Sequence, residues 1–180
     1  MMTSNATASV PFQSRAEIEQ RATEVRRLHG LETIPVDPVI LANRLGIAVH
    51  NAKFSDEGIV GMIAKRGENV TLLVNQADAP FRKRFTIAHE LGHHFLHLLG
   101  DGDFVDHEAD LFRQPSEDSE TITPERRREI QANMFGAALL MPGDAVRAEW
   151  KRLRSVEAMA RRFNVSESAM GIRVAQLGLE

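Results

Sequence analysis

The stretch that decides the fold of this 180-residue chain reads Thr86-Ile87-Ala88-His89-Glu90-Leu91-Gly92-His93. Histidines at positions i and i+4 lie one above the other on a helix face, so the imidazoles of His89 and His93 can bind one metal ion. Glu90 lies about 100° further round the helix, beside that ion, where a general base for an activated water must stand. The pattern therefore predicts a long helix that carries a catalytic metal site.

A third ligand has to come from another part of the chain. A helix rises ~1.5 Å per residue, which puts His97 about 12 Å along the axis from His89, too far for one ion to bind the whole row. The metzincin arrangement, with a histidine ten positions after the first, is excluded because that position is Leu99. We therefore expect His97 to support the ligands rather than to join them.

Glu129 is the best candidate for the third ligand. It opens the run Glu129-Ile130-Gln131-Ala132-Asn133 on a second predicted helix, and Gly136 follows on the same face. Small side chains at Ala132 and Gly136 would let the two helices approach closely, and Asn133 could hydrogen-bond the far nitrogen of a ligand histidine. This spacing is typical of the gluzincin metallopeptidases, thermolysin-like enzymes among them.

Residues 101–125 are strongly acidic and carry one basic residue, Arg113. We expect an exposed loop with a short helix inside it. Glu108 and Asp110 are the rival third ligands, ranked below Glu129 because no apolar face would hold them in place. A further hypothesis is that the loop steers a basic partner towards the site. The carboxylates assigned to this steering are Asp101, Asp103, Asp106 and Asp110.

The chain has no cysteine and no tyrosine. The missing cysteine excludes a disulfide scaffold, a thiolate zinc finger, an iron–sulfur site and a cysteine nucleophile. Two imidazoles and one carboxylate leave a fourth position for water, which favours a catalytic zinc ion, although manganese or another divalent ion also fits. Glu90 would take the proton of that water and pass it to the leaving amine. Without tyrosine, the oxyanion would rely on the metal, His97, His107 or an arginine.

Composition and charge bound the class of protein. At 43% hydrophobic and 26% charged residues, the chain is close to a globular average and long enough for about one domain. The net charge of -3 argues against an overall nucleic-acid binder. No apolar run approaches the length of a membrane span, and the first residues lack the features of a signal peptide. We expect a cytoplasmic protein with a disordered start over residues 1–14.

Hydrophobic periodicity and capping signals predict an α+β, zincin-like fold, in which a small antiparallel or mixed sheet packs against the metal-bearing helix pair. The predicted helices cover 15–28, 38–45, 81–99, 124–140, 143–153, 155–163 and a segment from 166. The predicted strands are 47–49, 59–64 and 70–74, with a hairpin loop at 65–69. Strand 70–74 could offer an edge to an extended substrate. We divide the chain into a core over 15–142 and a helical segment over 143–180 that packs on it.

These motifs together resemble the ImmA/IrrE family of metallopeptidases, and the resemblance covers about residues 35–180. The residues that carry it are Arg84–His93, Glu129 with Ala132, Asn133 and Phe135, Leu139–Pro142, Met159–Ser166, Arg173 and Leu177-Gly178. The resemblance implies His89, His93 and Glu129 as ligands and Glu90 as the base. One departure is Gly136, where the family usually has alanine.

The resemblance also implies a function and a partner. Members of the family cleave a helix-turn-helix repressor and so release stress-response or mobile-element genes. Two rival functions stay open: a DNA- or repressor-binding regulator with an inactive metal site, and the toxin of a toxin–antitoxin pair.

The C-terminal segment Ser155–Arg173 has a helix-turn-helix outline with basic residues nearby, so DNA binding is conceivable. The interleaved Glu149 and Glu157 favour a structural or repressor-docking role instead.

Overall fold

The computed structural model describes residues 13–97, 100–108 and 122–179, and they form an α+β fold, as the sequence predicts. The helices are α1 (Arg15–Leu28), α2 (Pro38–Arg44), α3 (Pro80–Leu96), α4 (Pro124–Leu140), α5 (Gly143–Leu153), α6 (Val156–Phe163) and α7 (Glu167–Gln176). The strands are β1 (Ala48–Ala52), β2 (Ile59–Arg66), β3 (Asn69–Asn75) and β4 (Gly102–His107). The expected disorder over residues 1–14 falls almost wholly outside the described residues.

Five of the seven helices named above begin where a capping side chain accepts from a backbone N–H of the first turn, and α3 and α5 begin without one. Ser14 and Glu17 form a capping box at the start of α1, with the Ser14 backbone N–H donating to the Glu17 carboxylate at 2.7 Å. The Asp37 carboxylate caps α2 by accepting from the backbone N–H of Val39 at 2.9 Å. Thr123 caps α4, which then opens on a proline. These local signals account for the agreement between predicted and observed helix starts.

The four strands form one mixed sheet in the order β1-β3-β2-β4. β1 pairs parallel with β3, whereas β2 pairs antiparallel with both β3 and β4. β3 therefore lies inside the sheet, and the expectation that strand 70–74 offers a free edge is wrong. The reason is that β1 crosses over to pair with β3, which no local sequence signal announces.

β4 corrects the expectation that residues 101–125 are an exposed loop. Alternate residues of this strand face inward, so Phe104 is half-buried and Asp106 is buried, while Asp103, Val105 and His107 are exposed. The strand was missed because its inward positions are a glycine, a phenylalanine and an aspartate rather than three apolar residues. The short helix expected inside the loop, and Asp110, lie outside the described residues.

α3 packs between the sheet and α4, and it touches α4 through residues without bulky side chains. A Cβ added at Gly92 would lie 2.9 Å from the Cα and carbonyl oxygen of Ala132. A Cβ at Gly136 would lie 3.1 Å from the backbone nitrogen of His89. The close approach that the small side chains of Ala132 and Gly136 predict is therefore present, and Gly92 contributes to it from the other helix.

Helices α5, α6 and α7 share a hydrophobic cluster with the rest of the described chain, through buried side chains such as Trp150, Phe163 and Met170. The buried guanidinium of Arg173 also joins α7 to α1, because its Nη2 donates to Glu19 Oε2 at 2.9 Å. Within the described ranges, every helix is too short or too polar to span a lipid bilayer.

The packing between α3 and α4 predicts opposite effects for two glycine substitutions. We expect Gly92→Ala to lower the free energy of unfolding by about 1–3 kcal/mol, because the new methyl group meets backbone atoms that cannot move aside. Gly171→Ala is the matched control in α7, where the nearest atom to an added Cβ is Val156 Cγ1 at 3.9 Å. It should stabilise the protein by up to about 1 kcal/mol, since alanine favours a helix. Urea unfolding with a chelator present measures the free energy of unfolding of both variants. If both substitutions changed it in the same direction, the result would contradict the close approach of α3 and α4.

We propose that the core over 15–142 and the helical segment over 143–180 unfold together, because their buried side chains belong to one cluster. Trp150 is the single tryptophan of the chain and lies in α5, so its fluorescence reports on the segment alone. Urea transitions followed by this fluorescence and by far-ultraviolet circular dichroism should coincide. An earlier fluorescence transition would show that the segment unfolds independently.

Candidate metal centre

Four side chains from three elements converge in the interior of the protein. His89 and His93 come from α3, Asp106 from β4 and Glu129 from α4, and one potential ligand atom of each lies within 4.8 Å of the others. The structure therefore brings together the three predicted ligands, and it adds a fourth group, Asp106, that the sequence analysis assigned to an exposed loop.

The two histidines lie on the buried face of α3 at the spacing that the sequence predicts. Their Nε2 atoms are 3.0 Å apart and face the carboxylates. Glu129 reaches them through both oxygens, with Oε2 at 3.3 Å from His89 Nε2 and Oε1 at 3.4 Å from His93 Nε2. Asp106 Oδ2 lies 3.1 Å from His89 Nε2 and 3.9 Å from His93 Nε2.

The far nitrogens of both imidazoles are also bound, which orients the rings. His89 Nδ1 donates to Asn133 Oδ1 at 2.9 Å, one helical turn beyond Glu129, where the sequence analysis places this role. His93 Nδ1 lies 3.1 Å from His97 Nδ1, and His97 Nε2 donates to Gln131 Oε1 at 3.1 Å. The Nδ1 atom of neutral His97 thus accepts a hydrogen bond from Nδ1–H of His93, which directs Nε2 of His93 towards the carboxylates.

The position of His97 corrects the predicted end of α3. The helix ends at Leu96, three residues before the predicted end, and His97 has an extended backbone with φ -122° and ψ 133°. Leaving the helix lets the His97 imidazole turn back towards His93 and Gln131 instead of standing further along the row. Burial, together with the nearby His93 and Arg128, lowers the pKa of His97 to about 4, which keeps the ring neutral.

The rival third ligand, Glu108, lies away from the cluster. Its carboxylate binds the guanidinium of Arg82 at 2.7 Å, and its side chain is half-exposed. His107, one of the residues considered for oxyanion stabilisation, is likewise half-exposed, 3.8 Å from Asp56. Glu129 is thus the carboxylate that faces both histidines, among the predicted candidates that the structure describes.

Glu90 is fully buried between α3 and β2. Its two carboxyl oxygens are buried, and their partner among the described residues is the neighbouring carboxyl group of Asp106. A Cβ added at Gly61 of β2 would lie 2.8 Å from Glu90 Oε1, so the absence of a side chain at Gly61 makes room for this carboxyl group. Burial and the neighbouring carboxylates of Asp106 and Glu129 raise the pKa of Glu90 well above its ordinary value.

The electrostatics of the cluster favour a positive charge between the carboxylates. Burial by itself would lower the pKa of His89, but Asp106 and Glu129 outweigh it and raise this pKa to about 9. Burial opposes ionisation of Glu129 as well, yet the two histidines hold its pKa below its ordinary value. A site that strongly stabilises a proton on an imidazole is one that also stabilises a cation.

The residues present fit a divalent cation. A tetrahedral zinc ion with ligand bonds of about 2.0–2.1 Å holds its ligand atoms about 3.3 Å apart, and the separations above scatter around that value. Asp106 Oδ2 and Glu129 Oε2 are buried oxygens that both face His89 Nε2, at 3.1 Å and 3.3 Å, as two ligands of one cation would. Imidazole and carboxylate together suit zinc, and they also admit manganese.

A cavity of about 390 Å³ adjoins the cluster on the other side of Asn133. It is lined mainly by apolar side chains of α3, α4 and α7, among them Phe85, Ile130, Met134 and Ile172. None of the four clustered residues lines it. The cavity therefore shares Asn133 with the surroundings of the cluster but is not lined by its carboxylates.

Asp106 is the residue of the site that the sequence analysis missed. One signal could have found it: Phe104 and Val105 are apolar neighbours within an otherwise acidic run, as a strand beside a core would require. Because Asp106 is buried, it no longer belongs to the set of carboxylates assigned to steering a basic partner.

Comparison with known proteins places most of the chain in one family. The profile described as IrrE N-terminal-like domain, a peptidase family, matches residues 42–175. The radiation response metalloproteases IrrE of Deinococcus radiodurans and Deinococcus deserti are each 34% identical over 106 residues, 57% of this chain. That match covers 30% and 34% of their lengths, so the chain corresponds to about a third of these relatives.

A solved structure shows the same fold. The protein described as a Mycobacterium tuberculosis transcriptional regulator superposes with a TM-score of 0.62 at 19% identity, over 89% of this chain and 46% of that protein. At this identity the likeness concerns the fold alone.

The two candidate third ligands make a direct test of the metal centre. We expect Glu129→Gln to weaken Zn²⁺ binding by about a hundredfold or more, since changes to residues that merely support a ligand already cost 10–100-fold. Glu108→Gln is the matched control and should leave the affinity unchanged. Competition against a chromogenic chelator measures both. If only the Glu108 variant bound Zn²⁺ more weakly, Glu108 and not Glu129 would be the third ligand.

Proposed function

Because the chain belongs to the family of IrrE N-terminal-like domains, we propose that it is a metal-dependent endopeptidase whose substrate is a helix-turn-helix repressor. The observation that carries the proposal is the convergence of His89, His93 and Glu129 beside the buried carboxyl group of Glu90. Metal-dependent hydrolysis of a peptide bond needs a cation site and a base side by side, and this cluster offers residues for both.

His89, His93 and Glu129 would hold the cation, with zinc as the first choice and manganese as the alternative. The cation supplies Lewis acidity, which polarises a peptide carbonyl and makes a water easier to deprotonate. Glu90, ionised when the cation offsets the charge of the neighbouring carboxylates, would accept the proton of the attacking water and deliver it to the leaving amine. Asn133 and His97 keep the two imidazoles in the orientation that directs their Nε2 atoms to the cation.

The choice of a DNA-binding repressor as substrate rests on the family resemblance and on the C-terminal helices. α6 and α7 are joined by a short turn over 164–166, in a helix-turn-helix arrangement. Several arginines of this region bind within the protein: Arg147 donates to the carbonyl of Leu177, Arg161 pairs with Glu157 and Arg152 pairs with Glu149. The carboxylates of Glu149 and Glu157 among these guanidinium groups offset their positive charge, which favours docking of a protein over binding of DNA.

Cleavage of such a repressor would release the genes that it represses. Relatives named for the radiation response make a stress regulon one candidate, and the family resemblance makes a mobile element the other. Both outcomes follow from the same reaction, because a repressor cut between its DNA-binding and dimerising parts loses affinity for its operator.

The decisive experiment combines cleavage with metal content. The protein should cut the helix-turn-helix repressor encoded beside its gene, and a chelator should stop the reaction. We expect Glu90→Gln to bind Zn²⁺ like the wild type and to cut at least about a hundredfold more slowly, since general base catalysis contributes about 10²–10⁴. Glu68→Gln, at an exposed position of the β2–β3 turn, is the control that should keep full activity.

Two outcomes would overturn the proposed function. Equal cleavage by the wild type and the Glu90 variant would show that Glu90 is not the base. Absence of cleavage together with tight binding of operator DNA by the wild type would favour a DNA-binding regulator instead.

A further inference from the structure

Asp106 stands where a fourth ligand of the cation would stand. Its Oδ2 atom is 3.1 Å from His89 Nε2, closer than either oxygen of Glu129 comes to a histidine nitrogen. With Asp106 included, the donor set is two imidazoles and two carboxylates from three different elements. A tetrahedral site with four protein ligands is closed, whereas a catalytic zinc site has three protein ligands and one position for water.

The surroundings of the cluster are closed as well. His89 and Glu90 are each 0% exposed, and Asp106 is 7% exposed. A peptide substrate cannot reach a base that has no exposed surface, so an element that covers the site has to move before hydrolysis. β2 lies over Glu90 at Gly61, and β4, which pairs with β2 on its outer side, carries Asp106.

A local irregularity in the sheet aims Asp106 at the cluster. Ile59 pairs with His107 and Gly61 pairs with Asp106, so β2 has one residue more than β4 between these two pairs. Such a bulge bends the strand and re-aims the neighbouring side chains. Because Gly61, the partner of Asp106, has no side chain, the Glu90 carboxyl group can occupy the space beside it.

We propose that Asp106 is a fourth protein ligand that closes the metal centre and keeps the peptidase latent until β4 shifts. This inference rests on the proposed function, since it concerns the same cation and the same reaction. The carboxylate takes the position that an attacking water would need, so the form described here can bind a metal ion but does not present an open position to a substrate.

β4 is suited to such a movement because it pairs with one neighbouring strand, β2, and the side chains that it sends inward are those of Phe104 and Asp106. It is the outer strand of the sheet, and Asp106 is the one residue of the strand that is buried. The side-chain links at its two ends are partly exposed ion pairs, Arg66 with Asp103 at 2.8 Å and Arg82 with Glu108 at 2.7 Å. Exposed pairs of this kind stabilise a structure only weakly, and short outer strands are among the first elements to open.

The test uses the metal alone, so that it does not depend on activity. Asp106→Ala removes the fourth ligand, and Asp106→Asn replaces it with an isosteric, weaker one in case the alanine variant folds poorly. Asp103→Asn is the control, on the exposed face of the same strand. We expect both Asp106 variants to bind Zn²⁺ at least about tenfold more weakly than the wild type in chelator competition, and Asp103→Asn to match the wild type.

Co²⁺ in place of Zn²⁺ reports whether the fourth position is open. Azide replaces a water on Co²⁺ and changes the visible absorption spectrum. We expect azide to act on the Asp106 variants at concentrations at least about tenfold lower than those needed for the wild type, because water occupies the position that the carboxylate leaves.

The outcomes separate this inference from the proposed function. If the wild type binds Co²⁺ tightly and the Asp106 variants have the same azide response and the same Zn²⁺ affinity as the wild type, Asp106 is not a ligand. The proposed peptidase function would be unaffected by that result. Failure of the wild type to bind either metal would overturn the proposed function itself, and the inference with it.

Discussion

The close approach of α3 and α4 is the constraint on which the metal centre depends. At Gly92 and Gly136 the two helices meet without an intervening side chain, and an added Cβ at either position would lie 2.9–3.1 Å from backbone atoms of the partner helix. The histidine and glutamate side chains that form the cluster are short, so they can meet only when the two helix axes are this close together. Helix pairs with ordinary side chains at their contact are 8–10 Å apart, and the short reach of Glu129 towards His89 and His93 requires the lower part of that range.

Beside this helix pair the protein buries several ionisable groups in its interior, where a charged group is destabilising. Glu90, Asp106 and Glu129 are carboxyl groups next to two imidazoles, and burial opposes the ionisation of each. Among the described residues, the buried oxygens of the cluster face the two histidines and one another rather than backbone N–H groups. A fold selected for stability alone would replace such a cluster with apolar side chains of similar volume. Its presence is therefore best explained by the chemistry that it serves.

A structural feature is easy to predict from the sequence when the residues that form it are close together in the chain, and hard to predict when they are far apart. The helix starts depend on caps such as Ser14 and Thr123, which lie within four residues of the groups they satisfy, and they agree with prediction. His89 and His93 share a helix turn, so their spacing alone predicts their meeting. The position of His97 depends on Gln131, 34 residues away in the chain, and the helix end changes with it. Asp106 depends on strand pairing that puts β4 beside β2, and an isolated acidic stretch does not reveal such a partner.

Three of the four clustered residues lie on the packed helix pair, and the fourth lies on an outer strand. This division indicates how a closed site could open without losing its metal. His89, His93 and Glu129 all belong to α3 and α4, which pack closely against each other at Gly92 and Gly136. Asp106 alone comes from an outer strand with a single paired neighbour. Movement of β4 would remove one ligand and leave the other three in place, which is the donor set of an open catalytic site. Had the fourth carboxylate come from either helix, opening would have required the two helices to part, and the whole site would have been lost with them.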